Sequence, residues 1–528
     1  MKKLLTMLTA MLMLISVLGA AYAIKDPIEF QGEFPFSEEP ITLDVFSMRG
    51  VYAQGDFNEL ECWKWLKDKT NISLNFEAYT DDIIEEKLAL KLVSNKLPDL
   101  FFKCAMDSSN VLKYAQDGAI IPITPYLEEY APHFYYQIEN DPSLKAFLTM
   151  SDGEIYGFNY IVSASNFMTP PVFVNGEWLA ELGYDEVPED LGELKELFIK
   201  VRDTDLNKNG EKDEVPLIAT SLDNLYRLFS GAFGINTRGR TSVYIDIDDN
   251  GELRYIPTSD GYKKLLKYFN ELYMEGLMYQ EIFDSSIANM TAVGEQNRIF
   301  MGKGSQHYVG PTYKDKFIGV NSIFKGPDGY QLNADVGNPI FAMNTFITPE
   351  NKYPEETVRL IDYFYSKEGV ELMFAGFEGV TFERNEKGNP VYNDYVQNNP
   401  DGLLNEEVLG KYIPWGGGAN PSMAEDHVFG ENMYSDVEKA VCKERLKYGP
   451  EVVWGKFNYT DEEYQRLSII ENDINTYINE MRAKFITGDA DLDADWEEYI
   501  NTLNRMGLEE LFTIYKSGLD AYEKAIAE

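Results

Sequence analysis

Ile41-Thr42-Leu43-Asp44-Val45 alternates apolar and polar residues, and the alternation returns at Ile72-Ser73-Leu74-Asn75-Phe76. A period of two reads as a strand with one face toward a core. Between the two runs, Leu60, Trp63 and Leu66 recur at helical spacing. After the second, Thr80 or Asp81 is placed to cap a helix whose apolar side carries Ile84, Leu88 and Leu92. Leu97-Pro98-Asp99-Leu100-Phe101-Phe102 then reads as a short buried strand. The order β-α-β-α-β predicts a parallel sheet with right-handed crossovers. Ligands of such sheets bind outside the carboxyl ends of the strands. The loops 47–57 and 103–110 are therefore the ones to watch.

Further along, a second α/β region is expected from about Tyr160. Pro171-Val172-Phe173-Val174-Asn175 reads as a strand, and Leu191, Leu194, Phe198 and Val201 as one face of a helix. Residues 339–348 read as a strand and 354–365 as a helix. In the tail, Ile470, Ile474, Ile478, Met481 and Phe485 share one helical face. Trp496, Leu503, Met506, Leu511, Tyr515 and Tyr522 continue the helical pattern. At the other end, Lys2 and Lys3 precede an apolar run from Leu4 to Leu18 and the small-residue pattern Ala21-Tyr22-Ala23. That order predicts a secretory signal peptide over 1–23, a mature start at Ile24, and a periplasmic or secreted protein. No cysteine lies near the cleavage point, so no lipid anchor is expected.

A chain of 528 residues is long enough for two or three domains. Its net charge of −41, and −43 without Lys2 and Lys3, repels phosphate backbones and anionic headgroups, which argues against nucleic acid and membrane surfaces as partners. Cys62, Cys104 and Cys442 allow one bridge and a free thiol, or three buried thiols. His133, His307 and His427 are far apart, and there is no HExxH, CxxC, GxSxG or P-loop. Nothing local supports a histidine zinc site or a Ser-His-Asp triad.

The sharpest local signal is Asp205-Leu206-Asn207-Lys208-Asn209-Gly210-Glu211-Lys212-Asp213-Glu214. Oxygen-bearing side chains fall at positions 1, 3, 5 and 9, glycine stands at 6, and position 7 offers its carbonyl. That pattern wraps a loop around a hard cation, and an all-oxygen set of about six ligands suits Ca²⁺. Pro216 stands where an EF-hand has its bidentate glutamate, and Glu214 can take that part. The alternative is a hydrated acidic turn, since Asp, Asn and Gly are turn residues. The cation's role is expected to be structural. The second signal is aromatic content, with 35 Tyr, 31 Phe and 6 Trp. Sugar rings present C–H faces that pack on aromatic rings, although most aromatics belong to the core. Those in loops beside Gly, Pro and Asn stand out: Tyr160 in Tyr156-Gly157-Phe158-Asn159-Tyr160, expected to end a strand; Tyr308 near Gly304 and Gly310; and Trp415 in Pro414-Trp415-Gly416-Gly417-Gly418-Ala419-Asn420. With Tyr52 and Asp107 from the sheet-end loops, they form the candidate ligand site. No catalytic residue is proposed.

Several segments, in order, resemble the extracellular solute-binding proteins of carbohydrate ABC transporters, especially the subgroup that includes alginate-binding proteins. They are Trp63-Lys64-Trp65-Leu66-Lys67-Asp68-Lys69-Thr70-Asn71-Ile72, Leu97-Pro98-Asp99-Leu100, the turn at 118–122, Asp152-Gly153-Glu154-Ile155-Tyr156-Gly157, the acidic loop, Phe485-Ile486-Thr487-Gly488, and the run from Trp496 to Gly507. The resemblance implies a two-lobed periplasmic-binding-protein fold of class α/β, with a hinge, an interlobe cleft and a helical C-terminal tail. Its lobes are expected to comprise 41–158 with 338–400, and 159–337 with 401–528. It implies Ca²⁺ held by Asp205, Asn207, Asn209, the Glu211 carbonyl, Asp213 and Glu214. It also implies a carbohydrate ligand, ABC permease subunits as partners, and a monomer that is not an enzyme. The competing readings are an exported glycoside hydrolase or polysaccharide lyase, and an oligopeptide-binding protein of the same architecture. A hydrolase needs two carboxylates flanking the scissile bond, and no motif singles out such a pair.

Overall fold

The alternation at Ile41 becomes the strand Ile41–Met48, with Leu43 and Val45 buried and Thr42 and Asp44 facing out. It pairs in parallel with Ile72–Tyr79 along its whole length, and on its other side with Leu100–Phe102. The helices Glu61–Thr70 and Ile84–Leu92 make the crossovers. Asn71 ends the first of them in the left-handed conformation, at φ 62°. The expected cap of the second is not a side-chain cap. The Thr80 carbonyl accepts from the backbone N–H groups of Ile83 and Ile84, and the Thr80 hydroxyl donates to Asp82 instead. The structure, a computed structural model, describes residues 24–527 apart from 51, 54, 81, 95, 165–167, 242–243, 339 and 415–419, with backbone alone at 340–342. The expected signal peptide and Asp81 lie outside the described residues.

The first sheet has six strands in the order Met423–Ala424, Gly157–Val162, Ile340–Ile347, Leu100–Phe102, Ile41–Met48, Ile72–Tyr79. Ile340–Ile347 runs antiparallel to both of its neighbours. The second sheet orders Phe317–Gly319, Val172–Asn175, Ile299–Lys303, Val215–Ala219. Its last strand is an edge, which accommodates Pro216 and its missing N–H. Two large hydrophobic clusters correspond to the two sheets and define two lobes. A smaller third cluster backs the second sheet.

The boundaries differ from those expected. Tyr160 belongs to the first sheet, on a strand that begins at Gly157 rather than ending near Tyr160, so the second region starts only after Ala164. The stretch 401–434, expected in the second lobe, buries Val408, Leu409, Ile413, Val428 and Phe429 in the first cluster. Its strand Met423–Ala424 adds to Gly157–Val162, a pairing too short to show a period in sequence. The tail is helical, as Asp461–Thr487, Trp496–Arg505 and Leu508–Ala527. Ile470, Ile474, Ile478 and Phe485 are buried in the second cluster. Helix Leu508–Ala527 packs across onto Pro142–Leu148, and Asp461–Thr487 onto Ser108–Gln116, so the tail bridges the lobes. Cys62, Cys104 and Cys442 are free and buried. No helix among the described residues is long and apolar enough to cross a membrane.

Candidate functional site

Beyond the carboxyl end of Leu100–Phe102 the chain turns through Lys103, at φ 58°, into Asp107. Asp107 caps helix Ser108–Gln116: its Oδ1 accepts from the Asn110 N–H at 2.8 Å and from the Ser109 hydroxyl at 2.7 Å. The sheet-end rule thus puts this carboxylate at a cleft of about 250 Å³ between the lobes. Met106, Asp107, Ser108 and Phe147 form the first lobe's wall, and Thr241, Gly455, Lys456, Phe457, Tyr459 and Tyr464 form the other. Helix Asp461–Thr487 begins at this wall with a reciprocal cap between Thr460 and Glu463, which fixes the first turn that carries Tyr464.

Polar contacts hold the two walls together. Asn458 Nδ2 donates to the carbonyls of Ala146, Phe147 and Thr149 at 3.2, 2.7 and 2.9 Å, satisfying the end of helix Pro142–Leu148 from the opposite lobe. The hydroxyls of Ser143 and Tyr522 lie 2.8 Å apart. Tyr459 and Tyr464 meet edge to face at 5.4 Å. Burial pushes the Tyr464 phenol up from its ordinary range, partly offset by the nearby Ser108 hydroxyl on the opposite wall. Burial likewise draws the Lys456 ammonium below the usual lysine range, against the pull of Asp107. The Lys456 side chain is nonetheless open to water, as a group is when it points into a wet cleft between crowded walls. Its ammonium lies 5.9 Å from the Phe147 ring centroid.

Of the five expected ligand residues, Asp107 lines this cleft. Tyr160 is buried at 7% exposure in the first core, its ring 6.3 Å from that of Phe374. Tyr308 is half-buried against the small third cluster, and its carbonyl accepts from the Thr291 hydroxyl. Tyr52 is half-buried where its backbone carbonyl closes on Gly410. Trp415 lies outside the described residues. The residues missed carry a legible signal: Gly455-Lys456-Phe457-Asn458-Tyr459 is an aromatic run beside Gly and Asn. It lies in the irregular stretch just before helix Asp461–Thr487, where neither helical nor strand periodicity marks it.

The loop between helix Leu191–Arg202 and strand Val215–Ala219 closes on itself. Asp205 accepts from the N–H groups of Asn209 and Gly210, and Asn207 Oδ1 accepts from Asn209 N–H. Glu214 Oε1 accepts from Leu206 and Asn207 at 2.6 and 3.0 Å. Asp213 receives the amides of Asn207 and Asn209 and pairs with Arg298 at 2.9 Å. Lys208 at φ 64° and Gly210 at φ 93° make the sharp turns. Glu214 is 6% exposed, and its Oε2 is buried with no hydrogen-bond partner. No cluster of three or more His, Cys, Asp or Glu placed to hold a metal occurs among the described residues. The loop's donor set instead includes two amides and a carbonyl. An orphaned carboxylate oxygen among oxygen donors fits a hard cation.

No known family profile matches the chain. In an alignment of 547 positions it is 25% identical to the fructooligosaccharide ABC transporter substrate-binding protein FusA of Streptococcus pneumoniae serotype 4, covering 98% of this chain and 97% of that protein. The fold matches FusA in complex with kestose at a TM-score of 0.73 and 23% identity, covering 92% of this chain and 100% of that one. FusA has also been solved as an EF-hand mutant. Alginate-binding protein AlgQ2 without calcium ion matches at 0.73 and 22% identity, covering 93% and 100%. A human-milk-oligosaccharide (HMO)-binding, ABC-transporter-associated solute-binding protein of Bifidobacterium longum infantis matches at 0.75 and 18% identity, covering 92% and 99%. These likenesses establish the two-lobed α/β solute-binding fold.

Proposed function

We propose that this chain, a substrate-binding protein of the carbohydrate ABC-transporter kind and not an enzyme, captures an oligosaccharide outside the cytoplasm and hands it to membrane permease subunits as a monomer. The observation that carries this reading is the cleft, whose walls come from different lobes and combine aromatic rings with Asp107, Ser108 and Lys456. Rings stack on sugar C–H faces while the polar groups take hydroxyls. A ligand that touches both walls binds the closed arrangement better than an open one, so it shifts a hinge equilibrium toward closure. Among the described lining residues there is one carboxylate, Asp107, where glycoside hydrolysis requires two.

The loop 205–214 would hold Ca²⁺ through Asp205, Asn207, Asn209, the Glu211 carbonyl, Asp213 and Glu214. The ion would cross-link the entry to strand Val215–Ala219 and would play no chemical part in binding sugar. Tyr52, Tyr308 and Trp415 remain expected contributors where a longer ligand extends beyond the described cleft, whereas Tyr160 is part of the first core. The test is calorimetry of the mature protein against an oligosaccharide panel, with chromatography of the sugar afterwards. Saturable binding with intact sugar is expected. Cleavage products would replace this reading with an enzymatic one, and binding of peptides but no sugar would replace it with oligopeptide capture.

A further inference from the structure

We infer that the cleft selects a neutral oligosaccharide, with Asp107 and Lys456 reading hydroxyl groups from opposite lobes. This inference rests on the carbohydrate-binding reading above. The lining among the described residues carries one negative and one positive side chain and no arginine. Arginine's planar fork is the group suited to bidentate recognition of a carboxylate, whereas lysine is a compact, strongly hydrated point charge. The Lys456 ammonium makes no ion pair among the described residues, and Asp107 is the charged side chain that lines the same cleft. A uronate approaching Lys456 would therefore also approach Asp107, and the attraction of one would be offset by the repulsion of the other.

Asp107 has its own capacity to spare. Its Oδ1 is committed to the helix cap, while no donor among the described residues takes Oδ2. A sugar hydroxyl both donates and accepts, so one glycosyl ring can donate to Asp107 and accept from Lys456. A carboxylate can do only the second. The chain's net charge of −41 adds a long-range penalty for a polyanion, felt most at low salt.

The experiment titrates the calcium-supplied mature protein with kestose, maltotriose, cellotriose and mannotriose, and in parallel with trigalacturonate and trimannuronate, at low and at physiological salt. At least one neutral sugar is expected to bind with an affinity that changes less than about twofold with salt, and the uronates at least about tenfold more weakly. Asp107→Asn keeps a helix-capping side chain, so the fold is retained. It is expected to weaken the neutral sugar about tenfold and to narrow its margin over trigalacturonate. Lys456→Met is expected to weaken the neutral sugar by a similar factor. Tighter binding of a uronate than of any neutral sugar, lost in Lys456→Met, would overturn neutral selection and leave carbohydrate capture standing. Failure of every sugar of both kinds would overturn carbohydrate capture itself.

Discussion

The loop 205–214 and the cleft wall 455–464 are similar in length and opposite in construction. In the loop nearly every hydrogen bond closes within ten residues, from Asp205 to Gly210 and from Glu214 back to Leu206. Arg298 reaches in from outside to hold Asp213. The wall makes sense only against a partner hundreds of residues away: Asn458 holds the end of Pro142–Leu148, and Lys456 faces Asp107. A loop of the first kind can serve as a stable cross-link. A surface of the second kind exists only in certain relative positions of the lobes, which is what a closing binder requires.

The largest effect expected from this contrast is calcium removal. At free calcium 100 to 1,000 times the dissociation constant, a single structural ion adds about 3–4 kcal/mol. Thermal melts in calcium and in EDTA should differ accordingly in the wild type and coincide in Asp205→Ala. A wild type indifferent to EDTA would reduce the loop to a hydrated turn.

On the cleft side, Tyr464→Ala should cost ~1–3 kcal/mol of binding, about ten- to a hundredfold in affinity by calorimetry. The side chain is half-buried, so the melting temperature without ligand should fall much less than for the buried Tyr499→Ala. The reverse ranking would make Tyr464 a packing residue. Asn458→Ala strips three carbonyls of their shared donor and should cost ~1–2 kcal/mol. Because the bonds join the lobes, the unliganded variant should also show a larger radius in small-angle scattering. An unchanged radius would mean that Asn458 stabilises one lobe only.

The smallest effect concerns His427, in the first lobe away from both regions. Burial works against its charged form, but the Glu425 carboxylate beside it prevails and holds its pKa above the ordinary value. A raised folded pKa contributes stability that is fully present below the unfolded value of about 6.5 and is lost as pH rises through the folded value. The stability gap between wild type and His427→Gln, measured by urea unfolding, should therefore be largest below about pH 6.5 and shrink above it, by less than about 1 kcal/mol. A gap that widens with pH would mean that the imidazole is held neutral.

The fold was legible in sequence wherever a period ran long enough to measure. The alternation at Ile41 and Ile72 marked paired strands, and the tail's stripe from Ile470 to Phe485 marked a buried helix face. It was illegible where an element is two residues long, as at Met423–Ala424, the strand by which this part of the chain joins the first sheet. The place of Asp107 at the cleft was legible because the carboxyl end of a strand is a position that sequence order alone defines. Tyr160 was misjudged because its glycine and asparagine neighbours signal a loop edge, whereas Gly157 is needed for close contact: a Cβ there would lie 2.6 Å from the Phe346 ring.

By itself the sequence determined the α/β class and the ten-residue oxygen-rich loop, because both are written in spacings shorter than one secondary-structure unit or a few. Only the tertiary structure decided which of the many aromatics face the cleft, and that Lys456 stands opposite Asp107. Those facts depend on how the C-terminal helices bridge the two lobes. Helix packing is set by the sum of many weak apolar contacts, and no local pattern within 455–464 encodes the surface that meets it from the other side.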